Sequence, residues 1–84
     1  SAIVCYSVGM FGGVRAAVAL RTTLAELGMP AIPSECPIPR IAAALDEDGK
    51  PQNEHVPRTL DRFLDELEWY ARALQRQRRG GTPY

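Results

Sequence analysis

The chain opens on an unbroken apolar run, Ala2 to Tyr6 (AIVCY), whose length and β-forming residues predict a strand buried on both faces, as in a parallel sheet. A glycine-rich turn follows, Ser7 to Gly13 (SVGMFGG). Val14, Ala17, Val18, Leu20, Leu24 and Leu27 then recur near the helical period, so a helix is expected over Val14–Leu27, with Gly28 in the place of a C-terminal cap. Met29 to Ser34 (MPAIPS) reads as a second, weaker strand. Pro30 and Pro33 cannot donate to a ladder, which puts that strand at a sheet edge. Glu35 to Pro51 reads as a long connection stiffened by Pro37 and Pro39. Within it Ile41–Leu45 forms a brief helical turn or a flap, and Asp46–Lys50 an exposed turn. Val56, Leu60, Phe63, Leu64, Leu67, Tyr70, Ala71 and Leu74 mark a long amphipathic helix from about Glu54 to Arg79. Its start falls between Asn53, a candidate cap, and Val56, because Pro57 fits only a first turn. Gly80 to Tyr84 is a frayed tail.

Strand, helix and strand in this order make a right-handed βαβ unit, and the class is α/β. Two strands and two helices do not close a parallel sheet. The first strand has interior character yet lacks a neighbour on one side. It is expected to pair with strands outside these residues, with a second chain, or in a swapped dimer. The opening at Ser1, without Met and directly before a strand, reads as a cut within something longer. Residues 1–79 are assigned to one domain and 80–84 to the tail.

At 84 residues the chain makes one small domain at most. Its 45% hydrophobic and 24% charged residues argue for an ordered domain rather than disorder. Ten basic and ten acidic residues cancel, so no bulk field recruits nucleic acid or a membrane. No apolar stretch has the length of a membrane span, and the apolar start lacks the basic lead of a signal peptide. Cys5 and Cys36 are too few for a disulfide scaffold and form no metal-ligand spacing; a cytoplasmic, reducing compartment is expected.

The chemistry-bearing stretch is Ala2 to Gly28. In open α/β sheets, ligands sit beyond the carboxyl ends of strands, near helix N-termini. Gly9, Gly12 and Gly13 let backbone approach a flat ring, and the N–H groups of Gly12 and Gly13 are free to face a ligand oxygen. The spacing matches neither a dinucleotide fingerprint nor a phosphate-binding P-loop. From spacing alone, a tight βα turn that needs glycine for its geometry is an equal reading.

The segment resembles the fourth strand, loop and helix of the NAD(P)H-dependent FMN reductases, a flavodoxin-like family that includes quinone, chromate and azo reductases. The resemblance is carried by Ser7, Gly9, Gly12, Gly13 and Arg15, then Leu20-Arg21, and later by Leu45–Lys50 (LDEDGK) and Leu64–Leu74 (LDELEWYARAL). It implies a three-layer fold built on a parallel sheet, of which the chain holds the last β-α-β-α portion. It implies FMN as cofactor and NAD(P)H as co-substrate. Ser7, Val8 and Gly9 would line the isoalloxazine ring, Gly12 and Gly13 would shape the loop, and Tyr6 would sit at the pocket edge. The family's phosphate-binding loop, after its first strand, and the stretch after its third strand have no counterpart here. A partner supplying them, or a homo-oligomer, is therefore expected. The chemistry would belong to the cofactor, so no catalytic residue and no metal ligand is assigned. The rival reading is a non-catalytic flavodoxin-like fragment or subunit that assembles with a partner chain.

Other residues carry less. Arg15, in a helix's first turn, either meets a phosphate or carboxylate or is a solvated or inter-subunit arginine. His55 reads as a surface residue. Trp69 and Tyr70 read as packing residues, with a subunit contact as the alternative. Arg72, Arg76, Arg78 and Arg79 suit the negative end of a helix dipole better than a nucleic-acid patch. Asp46, Glu47 and Asp48 read as a solvated turn, Cys5 as a small buried hydrophobe, and Cys36 as an exposed loop residue.

Overall fold

A computed structural model describes residues 1–84. The elements run β1 (Ile3–Tyr6), α1 (Val14–Glu26), β2 (Glu35–Ile38), α2 (Ile41–Ala44) and α3 (His55–Arg78). The two strands pair in parallel, Ile3 against Glu35 and Tyr6 against Ile38, in a mixed α/β arrangement. No helix is long and apolar enough to cross a membrane.

The first strand, both main helices and the short turn of helix at Ile41 fall where the hydrophobic pattern puts them. The second strand does not. Met29–Ser34 is irregular, and Glu35–Ile38, read from sequence as the start of a connection, forms the ladder. The cause is Arg21. Its guanidinium donates to the carbonyls of Ile32 (2.6 Å), Ala31 and Pro33 and pairs with Glu35 at 3.1 Å. Carbonyls turned toward a side chain are lost to a neighbouring strand, and Pro30 and Pro33 have no N–H to give. Pro37 is tolerated inside β2 for a geometric reason. Ser7 N–H donates to the Ile38 carbonyl. Successive partners in a parallel ladder lie two residues apart, so the nitrogen of Pro37 points to the outer edge, where no donor is needed.

The same alternation fixes the faces. Ile3, Cys5, Glu35 and Pro37 look toward α1, whose Ala17 is buried. Cys36 looks the other way, into a cluster with Ile32 and Phe63 flanked by Ala2, Leu60, Leu67 and Tyr70. The helices therefore lie on opposite faces of the sheet, and α3 sits over β2 rather than β1. Val4 and Tyr6, on the α3 face of β1, stay exposed. Burial of β1 on both faces, expected from its apolar run, is met on the α1 side alone.

Three further expectations change. Cys5, read as buried, is only half-buried. Cys36 is 1% exposed, the most buried residue of the core, and lies in β2 rather than in a loop. Trp69 is 66% exposed, whereas Tyr70 packs on the core. The turn at Asp46–Lys50 agrees with its reading, whereas the cap of α3 is Glu54, without a side-chain cap bond, one residue after the candidate Asn53. Asp46 Oδ1 accepts the N–H groups of Asp48 and Lys50, Gly49 takes a positive φ, and Asn53 Oδ1 accepts the His55 N–H at the helix start.

Candidate functional site at the carboxyl end of the sheet

The loop from Ser7 to Gly13 leaves β1 at its carboxyl end and delivers the chain into α1. Its two ends are fixed differently. Ser7 is tied to the neighbouring strand: its N–H donates to Ile38 O, its carbonyl accepts from Ile41 N–H at 3.0 Å, and its Oγ donates to Gly9 O at 3.2 Å. Gly9 O in turn accepts from Arg40 N–H at 2.9 Å. Both loops at the carboxyl edge are thus stitched together by main-chain bonds.

The glycines divide into two kinds. Gly12 (φ +61) and Gly13 (φ +85) sit in left-handed conformations, and a Cβ on either would meet backbone at 3.0 Å, Pro39 N and Tyr6 O respectively. They are glycines because the loop folds tightly onto the strand ends. Room for a ligand is not their function. A Cβ on Gly9 would meet only Ser7 Oγ, at 3.8 Å, so Gly9 alone of the three opens onto free space.

Between these anchors the main-chain donors are unsatisfied, while the carbonyls of Gly9, Phe11 and Gly13 accept bonds. The N–H groups of Val8, Gly9, Met10, Phe11, Gly12 and Gly13 have no acceptor in the chain. Those of Val8, Gly9, Met10 and Phe11 belong to exposed residues just ahead of the positive end of α1, where an oxygen or ring nitrogen of a ligand is favoured, whereas Gly12 is itself buried. Around them stand exposed apolar side chains: Tyr6 (68% exposed), Val8 (85%), Met10 and Phe11. The predicted residues Tyr6, Ser7, Val8, Gly9, Gly12 and Gly13 thus lie on one short stretch. Ser7 anchors, Gly12 and Gly13 shape, and Tyr6, Val8 and Gly9 face outward.

Arg40 is the residue that sequence reasoning missed. Its φ of +48 is the only positive value at a non-glycine, and its main chain holds the candidate loop. Such strain persists where surrounding bonds impose it. The neighbouring prolines at 37 and 39 hint at a constrained turn but not at its handedness. Arg15 lies exposed in the first turn of α1 and makes no ion pair. Arg21, part of the motif, serves the fold as described above.

Neither thiol is poised for chemistry. Burial raises the pKa of Cys36, and burial, then Glu35 and Cys36, raises that of Cys5. The two point to opposite faces of the sheet and stay protonated at neutral pH. No cluster of His, Cys, Asp or Glu could hold a metal. A hollow of about 340 Å³ lined by Pro30, Ile32, Leu67, Tyr70 and Leu74 lies at the amino end of the sheet, away from the loop. We assign the candidate site to the loop, because chemistry in parallel sheets gathers at the carboxyl edge.

Comparison of the chain with family models, with curated proteins and with solved structures gave no match.

Proposed function

We propose that the chain is the flavin-facing half of an NAD(P)H-dependent FMN reductase of flavodoxin-like, three-layer fold. The single observation that carries this reading is the run of unbonded N–H groups on the exposed residues Val8 to Phe11, set among exposed apolar side chains at the carboxyl end of a parallel strand. A flat, heteroatom-edged ring suits that surface: donors for its edge, apolar groups for its faces. The residues fit the cofactor in part. Val8 and Gly9 would lie against the ring, the loop N–H groups would bond its acceptors, and Tyr6 would border it. Nothing in the chain cradles the ribityl phosphate, which a polypeptide pairing with β1 would supply. Bound FMN would pass electrons from NAD(P)H to an acceptor, while the chain's own residues orient the ring and exclude water from one face.

The test is the visible absorption of the purified protein and its NAD(P)H oxidation with and without flavin. A yellow preparation whose activity disappears on flavin removal is expected from the complete assembly. Flavin-independent oxidation would reject the reading. The open edge of β1 favours one rival, a non-catalytic subunit of the same architecture. It predicts a colourless protein that assembles with its partner and does not quench FMN fluorescence.

A further inference from the structure

We propose that the solvent face of α3 docks antiparallel on the same face of a second copy of this chain. Along that face stand Asp61, Asp65, Glu68, Arg72, Arg76 and Arg79, all exposed. Their three- and four-residue spacings keep them on one stripe of the helix. The stripe is acidic in its first half and basic in its second. In a two-fold antiparallel pair, residues equidistant from the axis meet across it. Asp61 with Arg79, Asp65 with Arg76 and Glu68 with Arg72 are each centred on Tyr70 or about half a residue beyond it. One axis therefore brings every acid of the stripe opposite a base of the other copy.

Three observations fit this occupant. Asp61, Asp65, Arg76 and Arg79 make no ion pair within the chain; Glu68 pairs with Arg72, and Arg58 and Glu54, which continue the stripe toward the amino end, pair with each other. Trp69 stands exposed beside the stripe, one residue from the axis and edge-on to Tyr70 at 4.9 Å, and tryptophan and arginine are the residues that dominate interface energies. The last third of α3, residues 71–78, is exposed throughout. This face is opposite the one on the sheet. It stays free whatever pairs with β1, and the inference does not rest on the flavin reading.

Sedimentation equilibrium of the intact chain at low and high salt reads it. The wild type is expected to dimerise, less tightly as salt rises. The double variant Asp61→Arg/Asp65→Arg makes the stripe wholly basic outside Glu68, and Arg76→Glu/Arg79→Glu makes it wholly acidic outside Arg72. Each alone should weaken association at least about tenfold, with helicity retained because all four positions are exposed. An equimolar mixture of the two should recover it, since each reversed half then faces its opposite. Trp69 emission should shift to the blue on association. Val4→Lys, which disturbs the open face of β1, should leave the dimer intact. A monomeric wild type, a dimer that survives both reversals, or a mixture that stays monomeric would overturn the proposal. So would retention of a monomer on a polyanion column, which would give the arginines to nucleic acid.

Discussion

Glycine and cysteine show how one residue type serves different ends in this chain. Gly12 and Gly13 are held at positive φ against backbone, so a side chain there is strained twice. Gly12→Ala should cost about 2 kcal/mol or more, read as a lower unfolding midpoint. Gly9→Val adds bulk into open space. It should leave stability within about 0.5 kcal/mol of wild type, yet weaken FMN binding in the complete assembly, as followed by flavin fluorescence. Loss of stability instead of binding at Gly9 would make the loop purely a turn. Cys36 carries a pH prediction. Its folded pKa is raised by burial above the ordinary 9.0. Its contribution is complete below that value. As pH climbs past it, the unfolded thiol ionises while the folded one stays protonated, so stability falls until the folded pKa is passed. Cys36→Ala should lower stability overall but flatten that alkaline limb. An unchanged slope would assign the limb to other groups.

At the scale of elements, periodicity made the helices legible and an unbroken apolar run made β1 legible, although of the repeat that marks α1 only Ala17 is buried while Val18, Leu20 and Leu27 stand exposed. Val56, Leu60, Phe63, Leu67 and Tyr70 bound α3 in sequence, and Leu60, Phe63, Leu67 and Tyr70 meet the core in the structure. The second strand was not legible. MPAIPS and ECPI are both short and proline-bearing, and local preference does not separate them. A side chain on another element holds the first of them: Arg21 takes the carbonyls of residues 31–33, while Pro30 O and Ile32 N–H reach only Ser1. Arg21→Ala should therefore loosen the segment before β2. The half-buried ion pair and charge-assisted bonds together put the cost at about 2–3 kcal/mol, with Arg21→Lys recovering only part, since an ammonium cannot fork across several carbonyls. Amide exchange confined to residues 29–35 would locate the effect. The candidate loop was legible as a position, from its glycines and the strand before it. Its roles were not. That Gly12 packs on residues 37–39 and Gly13 on Tyr6 while Gly9 opens, and that Arg40, itself left-handed, bonds the Gly9 carbonyl, depends on how the ends of the two strands meet, which no local pattern encodes.

The whole molecule exposes more surface than its mass warrants. A compact 9.2 kDa monomer should expose about 4,900 Å², and this chain exposes 6596 Å². Its radius of gyration, 15.1 Å, compares with about 12 Å for a compact domain of its length. The excess, about 1,700 Å², is what one partner contributes to a large, permanent interface. The open β1 edge, the bare Val4 and Tyr6 face and the outer half of α3 account for where it lies. An unfolded chain of this mass exposes about 13,300 Å², so folding alone hides only about half of it. Denaturant sensitivity scales with the area hidden. The dilute chain should therefore unfold with an m-value about one-fifth below that of a compact domain of equal length, and with little free energy to spare. Covering the surface should raise both, so the midpoint should climb with protein concentration or with added partner. Hydrogen exchange separates the two exposed regions. The N–H groups of Val4 and Tyr6 point away from β2, as the ladder alternation requires, and should exchange freely until a strand pairs with β1. Pairing of α3 with a second copy would leave those two amides unprotected. A concentration-independent midpoint with a full-sized m-value would show that the chain is content with the surface it has, and would remove the reason to seek a partner at β1.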